Sequence, residues 1–229
     1  MGDADLVCGV SRLTAPQFIV FDLDGTLIDS RRDLADAANA LLVSAGAGPL
    51  PEARIGRMVG DGAATLVARA FEASGVAPPP DALERFLTLY DARLLEHTRP
   101  YPGIPQVLEA LALRGPLAVL TNKPLASTRR ILAGLGLARH FPEGAVIGGD
   151  GPFPRKPDPS GLQHLTARAR VPASSALLVG DSLVDWRTAR AASTPICLAR
   201  YGFGYEGFPR EELAASDHLI DTPAELLAL

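Results

Sequence analysis

Six short apolar runs recur along the chain: Gln17–Leu23 (QFIVFDL), Pro116–Thr121 (PLAVLT), Ala145–Gly148 (AVIG), Ala176–Gly180 (ALLVG), Thr194–Ala199 (TPICLA) and a weaker Asp217–Ile220. Most are nearly continuous rather than alternating, the pattern of strands buried on both faces in a parallel sheet. Helical periodicity fills the later intervals. Val107, Leu108 and Leu111 share one face of Ile104–Leu113, and Thr128–Leu137 and Gly161–Ala169 follow the same spacing. Strands alternating with helices predict an α/β fold, a doubly wound Rossmann-like parallel sheet that gathers ligands at the carboxyl ends of its strands.

The alternation fails between residues 31 and 99. Leu34, Ala37, Ala38, Leu41 and Leu42 have helical spacing, as do Leu83, Phe86, Leu87, Tyr90, Leu94 and Leu95, with no convincing strand between them. Ala77–Pro80 is a proline-rich joint within this stretch. The expectation is a small all-α unit over 31–99, inserted after the first strand. Residues 16–30 and 100–229 then form the α/β core, and 1–15 form a loose leader without periodicity. A length of 229 residues suits one domain carrying such an insert.

Composition excludes several classes. A net charge of -4 lacks the basic footprint of a nucleic-acid binder. No apolar run approaches the roughly 20 residues of a membrane span. Cys8 and Cys197 make neither a disulfide framework nor a zinc spacing, and His97, His140, His164 and His218 form no ligand pattern. Asp3 and Asp5 stand where a signal peptide would carry basic residues, so the cytoplasm is the expected compartment.

Two features carry chemistry. The first run ends in Asp22-Leu23-Asp24-Gly25-Thr26. Residues i and i+2 of an extended chain point the same way, so Asp22 and Asp24 project together from a strand end. Such a pair makes a metal site, or a nucleophile beside a general acid. The second feature is lysine scarcity. Of 22 basic residues only Lys123 and Lys156 are lysine, the rest being arginine. A compact ammonium and a planar guanidinium do not substitute freely at a tight phosphate site.

The string FDLDGT after an apolar strand resembles the first motif of the haloacid dehalogenase superfamily, DxDGT. Thr121 closing LAVLT, Lys156 in RKPDP, and Gly180-Asp181-Ser182 with Asp185 after LLVG resemble its second, third and fourth motifs, in order. The resemblance spans about Gln17 to the C-terminus, with one departure: where that family has Ala-Gly after the fourth-motif helix, this chain reads Ala191-Ala192-Ser193. It implies a Mg²⁺-dependent phosphomonoester hydrolase working through an aspartyl-phosphate. Asp22 is then the nucleophile and Asp24 the general acid and base. Thr121, the Asn122 backbone and Lys156 hold the phosphoryl group. Asp22, the Asp24 backbone carbonyl and Asp181 are the metal ligands, supported by Asp185.

The helical insert resembles the α-helical cap of the phosphoglycolate phosphatase branch, through RMVGDG at Arg57–Gly62, Tyr101-Pro102-Gly103, Thr121-Asn122-Lys123-Pro124, Gly149-Asp150 before RKPDP, and Tyr201-Gly202-Phe203-Gly204. This implies a small phosphorylated metabolite, best matched by 2-phosphoglycolate, with Asn122, Lys123, Arg57, Gly60, Asp61 and Gly62 as substrate contacts. The GDG turn lets backbone approach a small ligand, and Arg57 offers a fork to a second anionic group. Sugar phosphates (amino-sugar phosphates included), pyrophosphate, a phosphomutase and a non-catalytic binding protein on the same scaffold are the alternatives. A monomer or homodimer is compatible with all of them.

Overall fold

The computed structural model describes residues 15–229; the expected leader lies outside the described residues apart from Ala15. The chain enters through β1 (Phe18–Phe21), whose four residues are all buried. A short strand β2 (Ile28–Asp29) follows, then four helices, α1 (Arg31–Ser44), α2 (Glu52–Gly56), α3 (Ala63–Ser74) and α4 (Ala82–Asp91). The chain returns through β3 (Arg99–Pro100) into α5 (Ile104–Ala112), β4 (Leu117–Leu120), α6 (Leu125–Gly134) and β5 (Val146–Ile147). It ends with α7 (Ser160–Ala169), β6 (Ala176–Gly180), α8 (Leu183–Ala191), β7 (Ile196–Ala199) and β8 (His218–Ile220).

Six strands form one parallel sheet in the order β5-β4-β1-β6-β7-β8. The order runs outward in both directions from β1, as in a doubly wound sheet, so its crevice opens where β1, β4 and β6 end. The continuous apolar runs have a direct cause. Ile19 and Phe21 face one hydrophobic cluster and Phe18 and Val20 the other, so both faces of β1 are covered. The first cluster continues without a break into the helical segment, through Leu34, Leu41, Leu66, Phe71, Phe86 and Tyr90. The helices therefore share apolar burial with the sheet rather than standing apart from it.

The sequence did not announce β2 and β3. These two-residue strands pair antiparallel, Ile28 opposite Pro100 and Asp29 opposite Arg99, and zip together the chain's entry to and exit from the helical segment. Too short to show a period, they leave no pattern to read. Asp33, fully buried on α1, adds a second tie by accepting hydrogen bonds from the backbone N–H of His97 (2.9 Å) and Thr98 (2.8 Å) and from Thr98 Oγ1 (2.7 Å). Helix α6 runs from Leu125 to Gly134, about one turn earlier than its periodicity predicts, and the N–H of Leu125 at its start donates to Asp150 Oδ1 at 2.8 Å.

The Ala191-Ala192-Ser193 departure has a structural answer. The Thr194 N–H reaches the Ala189 carbonyl (2.9 Å) and the Ser193 N–H reaches that of Arg190 (3.1 Å), the paired bonds of a Schellman ending. Ser193 takes the left-handed position at φ 52° without being glycine. An L-residue there costs about 1–2 kcal/mol, part of which glycine would return by its looser unfolded chain. Ser193→Gly is expected to stabilise by about 1 kcal/mol, a rise of ~2–4 °C in Tm for a chain of this size. An unchanged or lower melting temperature would show that the ending carries no strain.

Candidate functional site

Three strand ends converge in the crevice. Asp22 follows β1, Thr121 follows β4 and Asp181 follows β6, and all three side chains are buried. Register holds Asp22 in place: its N–H donates to the Val179 carbonyl at 2.8 Å. Gly25 then turns with φ 87°, and a Cβ there would lie 1.9 Å from Asp181 Oδ2. Only a glycine lets the loop after the first two acids pack against the third.

Lys156 sits between carboxylates. Its Nζ lies 2.8 Å from Asp22 Oδ1 and 2.6 Å from Asp185 Oδ1. Asp185 is fully spent. Its other oxygen accepts from the Ser182 hydroxyl (2.6 Å) and from the backbone N–H of Ser182 (3.1 Å) and Asp181 (3.2 Å), closing a capping box at the start of α8. Asp181 Oδ2 accepts from the Gly204 N–H at 2.7 Å. Both lysines are buried in this region. Lys123 Nζ reaches Asp24 Oδ1 at 3.0 Å and Oδ2 at 2.9 Å, with the Ser30 hydroxyl also on Asp24, and lies 4.5 Å from the centre of the Tyr90 ring.

The charges do not balance. Oxygens of Asp22, Asp181 and Asp185 lie within 4.8 Å of one another, with one ammonium among them. Burial, then the Asp185 carboxylate, push the Asp22 carboxyl up to about 7, with Lys156 only partly offsetting them. Burial and the carboxylates of Asp185 and Asp22 likewise raise Asp181 well above the usual carboxylate range. A hard divalent cation with oxygen ligands would relieve this excess, so the donor set fits one.

The Asn122 side chain is committed to structure. Its Oδ1 accepts from the Lys156 N–H (2.8 Å), and its Nδ2 donates to the carbonyls of Lys156 (2.9 Å) and Gly60 (2.8 Å). It thus fixes the backbone at Lys156 and ties it to the glycine turn between α2 and α3. That turn roofs a cavity of about 50 Å³, lined below by Asp22, Asp24, Thr121, Lys123 and Asp181 and above by Gly60, Gly62 and apolar side chains of α3 and α4. Arg57 and Asp61 do not line it. Arg57 pairs with Glu206 (3.5 Å) and Asp61 with Arg69 (2.6 Å). Sequence reasoning passed over Tyr90 and Ser30, both polar groups at the site. In the sequence Tyr90 reads only as an apolar position of α4; its hydroxyl, on a face otherwise suited to apolar residues, is the available signal.

Comparison with known proteins agrees with this geometry. The model of the haloacid dehalogenase-like hydrolases matches residues 17–193. A phosphoglycolate phosphatase of Rhodospirillum rubrum is 46% identical over 200 residues, covering 83% of this chain and 82% of that protein. A plasmid-borne phosphoglycolate phosphatase of Cupriavidus necator is 36% identical over 215 residues, covering 92% and 91%. The crystal structure of a predicted phosphoglycolate phosphatase from Haemophilus somnus superposes with a TM-score of 0.86 at 30% identity, over 94% of this chain and 98% of that one. No helix among the described residues is long and apolar enough to cross a membrane.

The charge excess generates a pH signature. Because folding raises Asp22 from 3.8 to about 7, its burial costs nothing below the lower value and the full amount above the upper one. A cation binds the ionised form and removes that cost. Mg²⁺ is therefore expected to raise the melting temperature more at about pH 8 than at about pH 5.5. Thermal scans giving an equal or larger rise at the lower pH would refute a carboxylate cation site.

Proposed function

We propose that this chain, which belongs to the haloacid dehalogenase-like hydrolase family, is a Mg²⁺-dependent phosphatase that hydrolyses 2-phosphoglycolate through an aspartyl-phosphate on Asp22. The observation that carries the chemistry is the buried Lys156 held between Asp22 and Asp185 at the strand ends. The substrate rests on the 46% identity to a phosphoglycolate phosphatase.

Each residue then has a task. Lys156 and Thr121 receive phosphoryl oxygens as charge spreads over them in the transition state. A carboxylate oxygen of Asp22 attacks phosphorus and the bond to the substrate oxygen breaks. Asp24, held in place by Lys123 and Ser30, gives that oxygen its proton. Asp24 next takes a proton from the water that attacks the phosphoryl group, which releases phosphate and restores Asp22. Asp22, Asp181 and the Asp24 carbonyl would hold Mg²⁺, which would supply positive charge beside the phosphoryl oxygens. Residues 31–99 act as a cap over the α/β core of 16–30 and 100–229, excluding bulk water from the reacting centre. A cytoplasmic location suits an enzyme acting on a small metabolite.

Phosphate release tests the reading. The wild-type protein is expected to hydrolyse 2-phosphoglycolate in preference to hexose phosphates, and Asp22→Asn to fall to background while circular dichroism shows an intact fold. A folded Asp22→Asn enzyme with near-normal turnover would remove the aspartyl-phosphate from the mechanism. Lys156→Arg is expected to lower kcat/KM by on the order of 100-fold, since a bulkier planar cation displaces the phosphoryl group from its in-line position. Wild-type kcat/KM in that variant would mean that Lys156 does not hold the phosphoryl group.

A further inference from the structure

One polar group facing the cavity has no partner. The Tyr90 hydroxyl on α4 is buried, with Tyr90 only 3% exposed, and has no hydrogen-bond partner at ordinary distance; the Lys123 ammonium stands near it, and Tyr90 lines the cavity beside Asp24 and Lys123. A buried hydroxyl without a partner costs about 1–3 kcal/mol, so such groups are normally satisfied. This one is retained on an otherwise apolar wall formed by Leu34, Val59, Leu66, Phe86 and Leu87.

The other polar side chains lining the cavity are committed. Asn122 holds the Lys156 backbone and the Gly60 carbonyl, and Ser182 bonds Asp185. Thr121 and the carboxylates face the phosphoryl group in the mechanism above. Lys123 is different. An ammonium has three protons, and the two oxygens of Asp24 engage two of them, at 2.9 and 3.0 Å. One remains, beside the Tyr90 ring at 4.5 Å.

Substrate chemistry places a second anion here. In 2-phosphoglycolate the carboxylate stands one methylene away from the bridging oxygen that Asp24 protonates. Its receiver must therefore adjoin Asp24, which Lys123 and Tyr90 do and the outward-paired Arg57 does not. We propose that the Tyr90 hydroxyl and the Lys123 ammonium together receive the substrate carboxylate, making Tyr90 the specificity-determining residue of the helical segment; this rests on the phosphoglycolate reading above. Burial also raises the Tyr90 phenol to about 12, so it stays a donor across the neutral range. The remaining wall rejects larger polar groups, because it offers them no partners.

Tyr90→Phe removes only the hydroxyl. Because the ring that packs over Lys123 is kept and the hydroxyl makes no hydrogen bond at ordinary distance, the variant is expected to melt within a few degrees of wild type. The experiment measures kcat and KM for 2-phosphoglycolate and for ethyl phosphate, which has the same two-carbon length without the carboxylate. The ratio of the two kcat/KM values is expected to fall roughly ten- to hundredfold in Tyr90→Phe, the weight of one hydrogen bond to a charged group, with most of the loss in KM. A wild-type preference for phosphoglycolate that Tyr90→Phe retains in full overturns the inference alone. A wild-type enzyme with no such preference overturns the substrate reading, and this inference with it.

Discussion

The Lys156 ammonium is the centre on which the site is organised. It is almost wholly buried and touches two carboxylates, and each of those is anchored by a different part of the fold. Asp22 is fixed by the β1–β6 register, and Asp185 by the capping box that starts α8. Taking such charges out of water is expensive unless every one is paired and hydrogen-bonded. Asp185 meets that condition in full and serves as the brace; burial, and then the Asp185 carboxylate itself, raises the carboxyls of Asp22 and Asp181. Unequal satisfaction separates the supporting carboxylate from the two left with capacity for a cation.

The same economy of contacts joins the helical segment to the sheet. One hydrophobic cluster runs through both, the β2–β3 pair and Asp33 close the two connecting strands, and Asn122 spans from the Lys156 backbone to the Gly60 turn. A single side chain thereby links the glycine turn to the Lys156 backbone. The carboxylate-lined end of the cavity is built by the sheet and its far end by α3 and α4, so the two ends differ in chemistry.

The sheet was legible in the sequence because burial on both faces forces apolar residues at every position of β1, β4, β6 and β7. The chemistry of the strand ends was legible for a related reason: Asp22, Asp24, Thr121 and Asp181 each interrupt an apolar run at its close, and the two lysines stand out against arginine. What stayed hidden depends on long-range pairing. Nothing local says that Lys123 will meet Asp24, 99 residues away, or that Asn122 will bond Gly60, 62 residues away. Arg57 shows the converse: an arginine in a suggestive string pairs at 3.5 Å with Glu206, far along the chain.

The placement of the two lysines has a consequence for how this protein meets reactive small molecules. Both ε-amino groups are enclosed, the Lys123 and Lys156 side chains being 4% and 2% exposed, and the outer surface draws its positive charge from arginine. Acyl donors, aldehydes and other electrophiles that attack primary amines find no lysine on the outer surface of the folded molecule. They reach Lys123 only through the cavity that it lines, and modification of Lys156 would report that the fold had opened.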